Sequence, residues 1–219
     1  MSQFKKPAGV LGRITARGMA WGHRDFYKNT ARIMNLSPED KYLEVGFGSG
    51  MFIKKYARHV SEIAGIDYSE DMVNLAKAIN NDLVDSKRAD FRQGEAVSLP
   101  WSSEYFTAVA CIEAFYFLKD PLSALSEVFR VLKFGGRFVI EMAYNKDDGL
   151  NHAKDIKKMG LNLYSADEIK EVLKASGFGD VACFYYQGFR IPFKGYVVPK
   201  GMIIRAYKNE DQDHKAYAV

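Results

Sequence analysis

The sequence predicts an α/β domain, a parallel sheet of short strands with helices on both faces. Three observations predict it. Short apolar runs alternate with amphipathic stretches at helical spacing along most of the chain. One run closes on a glycine-rich turn, Leu43-Glu44-Val45-Gly46-Phe47-Gly48-Ser49-Gly50, and leads into the helix-like Met51 to Ala57. The next run ends on an acid, Asp67, roughly twenty residues beyond Gly46, where nucleotide-binding folds place a carboxylate for the ribose hydroxyls.

Residues 8–22 (AGVLGRITARGMAWG) precede a helix-like stretch from Arg24 to Met34. They suit either an amphipathic cap or a lid over a ligand, for which Trp21, His23 and Tyr27 are apt side chains. Ser37 to Asp40 is a turn into the first strand, Lys41 to Val45. In the glycine turn the backbone can take positive φ and present bare amides to a ligand at a helix N-terminus. Ser61 to Asp67 is the second strand, and Ser69 or Glu70 caps a helix with Met72, Val73, Leu75, Ala76 and Ile79 at helical spacing.

Ala89 to Gln93 and Phe106 to Ile112 are the third and fourth strands. Asp120 caps and Pro121 opens a helix with the inner face Leu122, Leu125, Val128, Phe129, Val131 and Leu132. Phe134-Gly135-Gly136 ends it, and Arg137 to Ala143 is the fifth strand. Residues 144–164 are polar and basic without strong periodicity. Ser165-Ala166-Asp167-Glu168 is a capping box for a helix that runs to Ser176 and stops at Gly177. Strands Val181 to Gln187 and Met202 to Tyr207, joined by a Pro- and Gly-containing connection, complete the sheet.

A chain of 219 residues, 47% hydrophobic and 26% charged, is long enough for one core and too apolar for disorder. Its net charge of +4 does not point to nucleic acid, whose partners cluster Lys and Arg. Cys111 and Cys183 form no C-x-x-C, and His23, His59, His152 and His214 share no ligand spacing, so neither a disulfide framework nor a metal site is expected. No apolar run approaches the span of a bilayer, and a cytoplasmic location is expected.

The chain resembles a class I S-adenosylmethionine-dependent methyltransferase of the small-molecule group that includes the ubiquinone and menaquinone biosynthesis enzymes. The resemblance rests on LEVGFGSG (43–50), GIDYSEDMV (65–73), QGEAVSLPW (93–101), FTAVACIEAFYFLKDP (106–121) and LKFGGRFVI (132–140), in the family's order and spacing. A dinucleotide dehydrogenase would need glycine at position 51, where this chain has Met51. The resemblance implies a Rossmann-like doubly wound sheet of seven strands, order 3-2-1-4-5-7-6, with strand 7 antiparallel. It implies a methyltransferase domain over residues 38–219, with a helical cap or lid over 1–37 and a substrate-side insertion at about 144–164.

The same resemblance implies S-adenosylmethionine as cofactor, leaving as S-adenosylhomocysteine. Gly46, Phe47, Gly48 and Gly50 would line the methionine and ribose, with Glu44 beneath the loop near the methionyl ammonium. Asp67 would accept from both ribose hydroxyls, Tyr68 would pack on the adenine with Met72 beside it, and Glu95 or the amide of Ala96 would meet the adenine edge. Position 95 is usually aspartate in the family; glutamate keeps the charge and lengthens the reach. The backbone at Cys111 would contact the ammonium, while the thiol itself has no base or cation to activate it.

Methyl transfer is an in-line displacement in which positioning does most of the work. A base is needed only if the acceptor loses a proton, and Glu113, Tyr116, His23 and His152 are the candidates. Related enzymes often carry histidine where this chain has Phe115-Tyr116-Phe117, so an apolar or aromatic small-molecule acceptor is expected, with Tyr116 facing the pocket and able to meet the sulfonium. The Asn/Asp-Pro-Pro-aromatic tetrapeptide of amino-methylating nucleic-acid enzymes and the Pro-Cys of cytosine C5 enzymes are both absent. Lys154, Lys157 and Lys158 read as a solvated face, or as a contact for RNA or an acidic substrate. An RNA or protein acceptor, or a non-catalytic cofactor-binding protein, are the alternatives; a monomer or homodimer is expected.

Overall fold

The computed structural model describes residues 24–187, 189–190, 197–198 and 200–209. A seven-stranded sheet is built from β1 (Lys41–Val45), β2 (Glu62–Asp67), β3 (Ala89–Gln93), β4 (Phe106–Ile112), β5 (Leu132–Met142), β6 (Gly179–Tyr186) and β7 (Gly201–Tyr207). Its order is β3-β2-β1-β4-β5-β7-β6. The first five strands are parallel, whereas β7 runs antiparallel to both β5 and β6. A separate two-stranded ladder pairs Phe189–Arg190 with Val197–Val198 inside the connection that precedes β7.

The helices are α1 (Arg24–Met34), α2 (Glu70–Ile79), α3 (Asn81–Asp85), α4 (Pro121–Val131), α5 (Ala153–Met159) and α6 (Ala166–Ala175). A short segment after the glycine turn, Ile53–Ala57, is wound with π spacing. Central strands are apolar on both sides because each side is covered. Leu43, Val45, Val109, Cys111, Phe138 and Ile140 face the core under α4 and α6. Tyr42, Ala108, Ala110, Val139 and Ile203 alternate with them and face the core that contains Phe26 and Met34 of α1 and Val73 and Ala76 of α2.

The caps form as expected at two helices. Asp120 accepts from the Ser123 amide at 3.1 Å. Ser165 and Glu168 cap each other's amides at 3.2 and 2.8 Å.

Three sequence expectations shift. Leu122, placed on the inner face of α4, is 54% exposed, and Ala124 takes its place in the core. Residues 144–164 contain the helix α5. The helix before β5 ends at Val131, not at the glycine pair, and Leu132 already pairs with Phe106 before Lys133 to Gly136 bulge out and pairing resumes at Arg137. Lys208 explains that early stop: its ammonium donates to the carbonyls of Phe129 at 3.0 Å and Leu132 at 2.9 Å, satisfying acceptors that another helical turn would have used. Gly135, at φ +75°, turns the bulge back so that its amide reaches the Lys208 carbonyl at 2.7 Å.

One charged cluster ties α1 to the sheet. Arg137 donates to the Met34 carbonyl at 2.5 Å and to Asp40 at 2.6 Å, and Thr107 donates to Asp40 at 2.6 Å. Burial pushes the Asp40 carboxyl up, but these bonds and the Ser37 amide outweigh it and hold the group below its ordinary range.

Candidate functional site

Open α/β sheets place ligands at the carboxyl edge where the strand order reverses, here between β1 and β4. β1 leaves the sheet at Gly46, whose φ of +74° only glycine takes without strain. A Cβ there would lie 2.5 Å from the Cβ of Ala114, so the turn after β4 can close against the glycine loop. Gly50, at φ +72°, gives α2 a similar close approach: an added Cβ would meet Asn80 at 2.8 Å and Ala76 at 3.0 Å. Gly48, at φ +52°, has nothing within 4 Å of its missing Cβ and borders open space.

Asp67 sits beside that space. Its two carboxylate oxygens accept the amides of Gly48 and Ser69, each at 2.9 Å, which fixes the carboxylate plane and leaves further lone pairs available. The group is 7% exposed; burial raises its pKa and the two amides pull it back. Tyr68 is 43% exposed next to it, its phenol pushed up to about 12 by burial and by Asp67. Met72 is buried on α2, Glu95 is exposed on the loop after β3 and Ala96 is half-buried.

Glu44 lies under the loop and is fully buried, accepting from the Tyr42 hydroxyl at 3.1 Å. Burial, with Asp67 adding to it, raises its pKa to about 8 against the pull of that hydrogen bond, so the free protein holds a proton on Glu44 at neutral pH. The Cys111 thiol is buried in the core, and burial, Glu44 and Glu141 push its pKa up, which agrees with an inert thiol. Phe47 departs from its expected place in one respect. Its ring turns under the loop, against Gly65 and 5.1 Å from Phe91, so only its backbone borders the site.

On the β4 and β5 side, Glu113 follows Ile112 with φ +54°, uncommon for a residue with a Cβ. Its amide donates to the Glu141 carbonyl at 2.9 Å and its Oε1 accepts from the Ala143 amide. Tyr116 is 3% exposed, with Phe117 at 4.8 Å and Tyr144 at 6.3 Å edge-on, and its hydroxyl lies against Glu113. The segment 144–164 docks onto this turn, the Asn162 amide donating to the Tyr116 carbonyl at 2.8 Å. His152 is tied to both oxygens of Asp148 at 2.9 and 2.8 Å, its ring 5.5 Å from Tyr144. Tyr27 of α1 reaches the same edge; burial raises its pKa, and Glu44, Glu113 and Glu141 add to the effect. His23 and Trp21 lie outside the described residues, as does all of the cap before Arg24.

Sequence reasoning overlooked Glu141 and Tyr186. Glu141 is completely buried and accepts from the Tyr186 hydroxyl. A lone acid in the apolar run Phe138 to Ala143 was the available signal.

The fold is Rossmann-like, and the Gly46–Asp67 arrangement lies at its carboxyl edge. Residues 43–140 match the model of a methyltransferase domain family. The chain is 28% identical over 172 residues to an O-methyltransferase of Pyrenophora dematioidea, across 76% of this chain and 64% of that protein. It is 29% identical over 120 residues to a demethylmenaquinone methyltransferase of Bacillus cereus, across 53% of this chain and 50% of that protein. The chain thus spans less than two thirds of the length of these two curated relatives. The crystal structure of YcgJ from Bacillus subtilis superposes with a TM-score of 0.71 at 20% identity, covering 86% of this chain and all of that one, a likeness of fold. No helix among the described residues is long and apolar enough to cross a membrane.

Proposed function

We propose that this protein transfers a methyl group from S-adenosylmethionine to a small, apolar or aromatic acceptor seated at the carboxyl edge of β4 and β5. The observation that carries the reading is the Asp67 carboxylate, pinned by two amides beside the open face of Gly48. That geometry suits a ribose diol, with each oxygen keeping lone pairs for a hydroxyl. Tyr68 and Met72 flank the adenine, Glu95 and the Ala96 amide meet its edge, and the backbones of Gly46, Phe47, Gly48, Gly50 and Cys111 line the methionine. Glu44 gives up its proton when the methionyl ammonium arrives, because an adjacent cation lowers a carboxyl pKa.

S-adenosylmethionine supplies a methyl on a positively charged sulfur, so the protein's task is to align an acceptor for in-line displacement and exclude water. Glu113 and Tyr116 border the acceptor, α1 covers it through Tyr27, and the insertion closes its far side through Tyr144. The O-methyltransferase and demethylmenaquinone methyltransferase relatives agree with an oxygen- or quinol-bearing acceptor.

The test is cofactor consumption across a panel of quinols, phenols, amines and thiols, read as S-adenosylhomocysteine formed. Turnover with at least one class is expected. Cofactor binding with no turnover on any of them overturns the enzymatic reading in favour of a binding protein.

A further inference from the structure

Glu141 is 0% exposed in an apolar strand, where an unpaired carboxylate costs several kcal/mol. One of its oxygens accepts from Tyr186, and Tyr186 is held there by design of the backbone. The ring fills the space over Gly201, where a Cβ would fall 1.8 Å from Cζ, and it stacks 4.8 Å from Phe26 of α1. The other oxygen, Oε2, is buried with no donor facing it among the described residues. The Glu141 carboxyl interacts with that of Glu113, which accepts the Ala143 amide at Oε1 and belongs to a half-buried residue. Glu113 has a positive φ, a strained conformation of the kind found at functional sites.

We propose that Glu113 and Glu141 share one proton, that Glu113 is the base for the methyl acceptor, and that Glu141 and Tyr186 are positioning residues that set its basicity. The proposal rests on the reading of β4 and β5 as the acceptor edge. It restricts the acceptor to one whose reacting atom carries an ionisable proton, a phenol, alcohol, thiol or amine. A lone pair on that atom forms the bond to the methyl carbon, the carbon–sulfur bond breaks with its electrons going to sulfur, and the acceptor's proton passes to Glu113. Glu141 keeps its proton on Oε2 throughout and donates it to Glu113 as a hydrogen bond.

The titratable groups that interact with this pair are Tyr27 from α1, Cys111 from β4, Tyr116 after β4 and Tyr186 from β6, all phenols or a thiol. Burial pushes Glu141 well above the carboxylate range, the Glu113 charge adds to this, and the Tyr186 hydrogen bond opposes it. Two carboxyls in contact do not readily both ionise, and burial favours the proton on Glu141.

Infrared difference spectra of the full chain with S-adenosylhomocysteine, wild type minus Glu141→Gln, test the shared proton. Loss of a protonated carboxylic C=O band at neutral pH is expected, and Tyr186→Phe should move that band to higher frequency. A difference spectrum with carboxylate bands alone overturns the proposal. With an acceptor from the panel, the acid limb of the pH–rate profile tests the base. Glu141→Leu, which removes the donor to Glu113, should move that limb up by about one to two pH units, and Glu141→Gln, which keeps a donor, should restore it. Equal rate losses without a shift in the limb would assign Glu141 a structural role only. If no acceptor is consumed, the methyl-transfer reading fails while the infrared result still decides the proton.

Discussion

The two halves of the carboxyl edge are built differently. On the β1 and β2 side, the geometry comes from backbone: three positive-φ glycines and two amides that hold Asp67, all between Gly46 and Ser69. On the β4 and β5 side it comes from side chains far apart in sequence, with Glu113, Glu141 and Tyr186 meeting under α1. A backbone-built cradle suits a cofactor that does not vary, and a side-chain pocket can be altered by substitution without disturbing the loop.

That contrast can be broken most severely at Arg137, which fastens the end of α1 to the sheet. Arg137→Ala leaves Asp40 buried without its partner and should cost about 3–5 kcal/mol in urea unfolding. Because Asp40 has a lowered folded pKa, its stabilisation is present above the unfolded pKa and lost as pH falls through the folded one. The variant should therefore lose less stability than wild type on acidification below about pH 4.

Asp67→Ala attacks the cradle alone. It should weaken S-adenosylhomocysteine binding by about 100-fold in calorimetry, since hydrogen bonds to a charged group contribute about 1.5–3 kcal/mol. Undiminished affinity would remove Asp67 from the ribose site.

Gly46 is the joint between the halves, and Gly46→Ala tests whether they are independent. Positive φ and the contact with Ala114 should together cost about 2 kcal/mol in thermal or urea unfolding, with cofactor affinity falling alongside. Full stability with intact binding would show that the loop does not need that close approach.

The gentlest probe is Glu44→Gln. The folded pKa of Glu44 is raised, to about 8, so its contribution to stability is full below the unfolded value and is lost as pH rises toward 8. Wild type should lose up to about 1.4 kcal/mol per pH unit from this group over that window, and the variant should lack that slope. Calorimetry at pH 7 in buffers of different ionisation heat should also show up to one proton released from wild type on cofactor binding, and less from the variant.

Much of this is legible in the sequence. The strand–glycine–helix unit, the place of Asp67 at the end of β2, the Asp120 and Ser165 caps and the strand order implied by the family resemblance all appear as expected. The expectations that shifted have long-range causes. The α4 stop is moved by Lys208 from the far end of the chain, and the inward turn of Phe47 is made possible by Gly65 on the neighbouring strand. Tyr116 is buried against Glu113 by a segment that docks from residue 162.

By itself the sequence determined the sheet and the glycine loop with its acid, because both are encoded locally, by apolar periodicity, by glycines that alone accept positive φ, and by an acid at the end of the next strand. Tertiary structure alone decided the acceptor edge. Glu113 and Glu141 are unremarkable acids until β4 and β5 pair, and Tyr186 reaches them only because Gly201, its cross-strand partner, leaves room for its ring. Burial then raises the pKa of Glu141, a property that depends on the dielectric and the neighbours around it rather than on residue type.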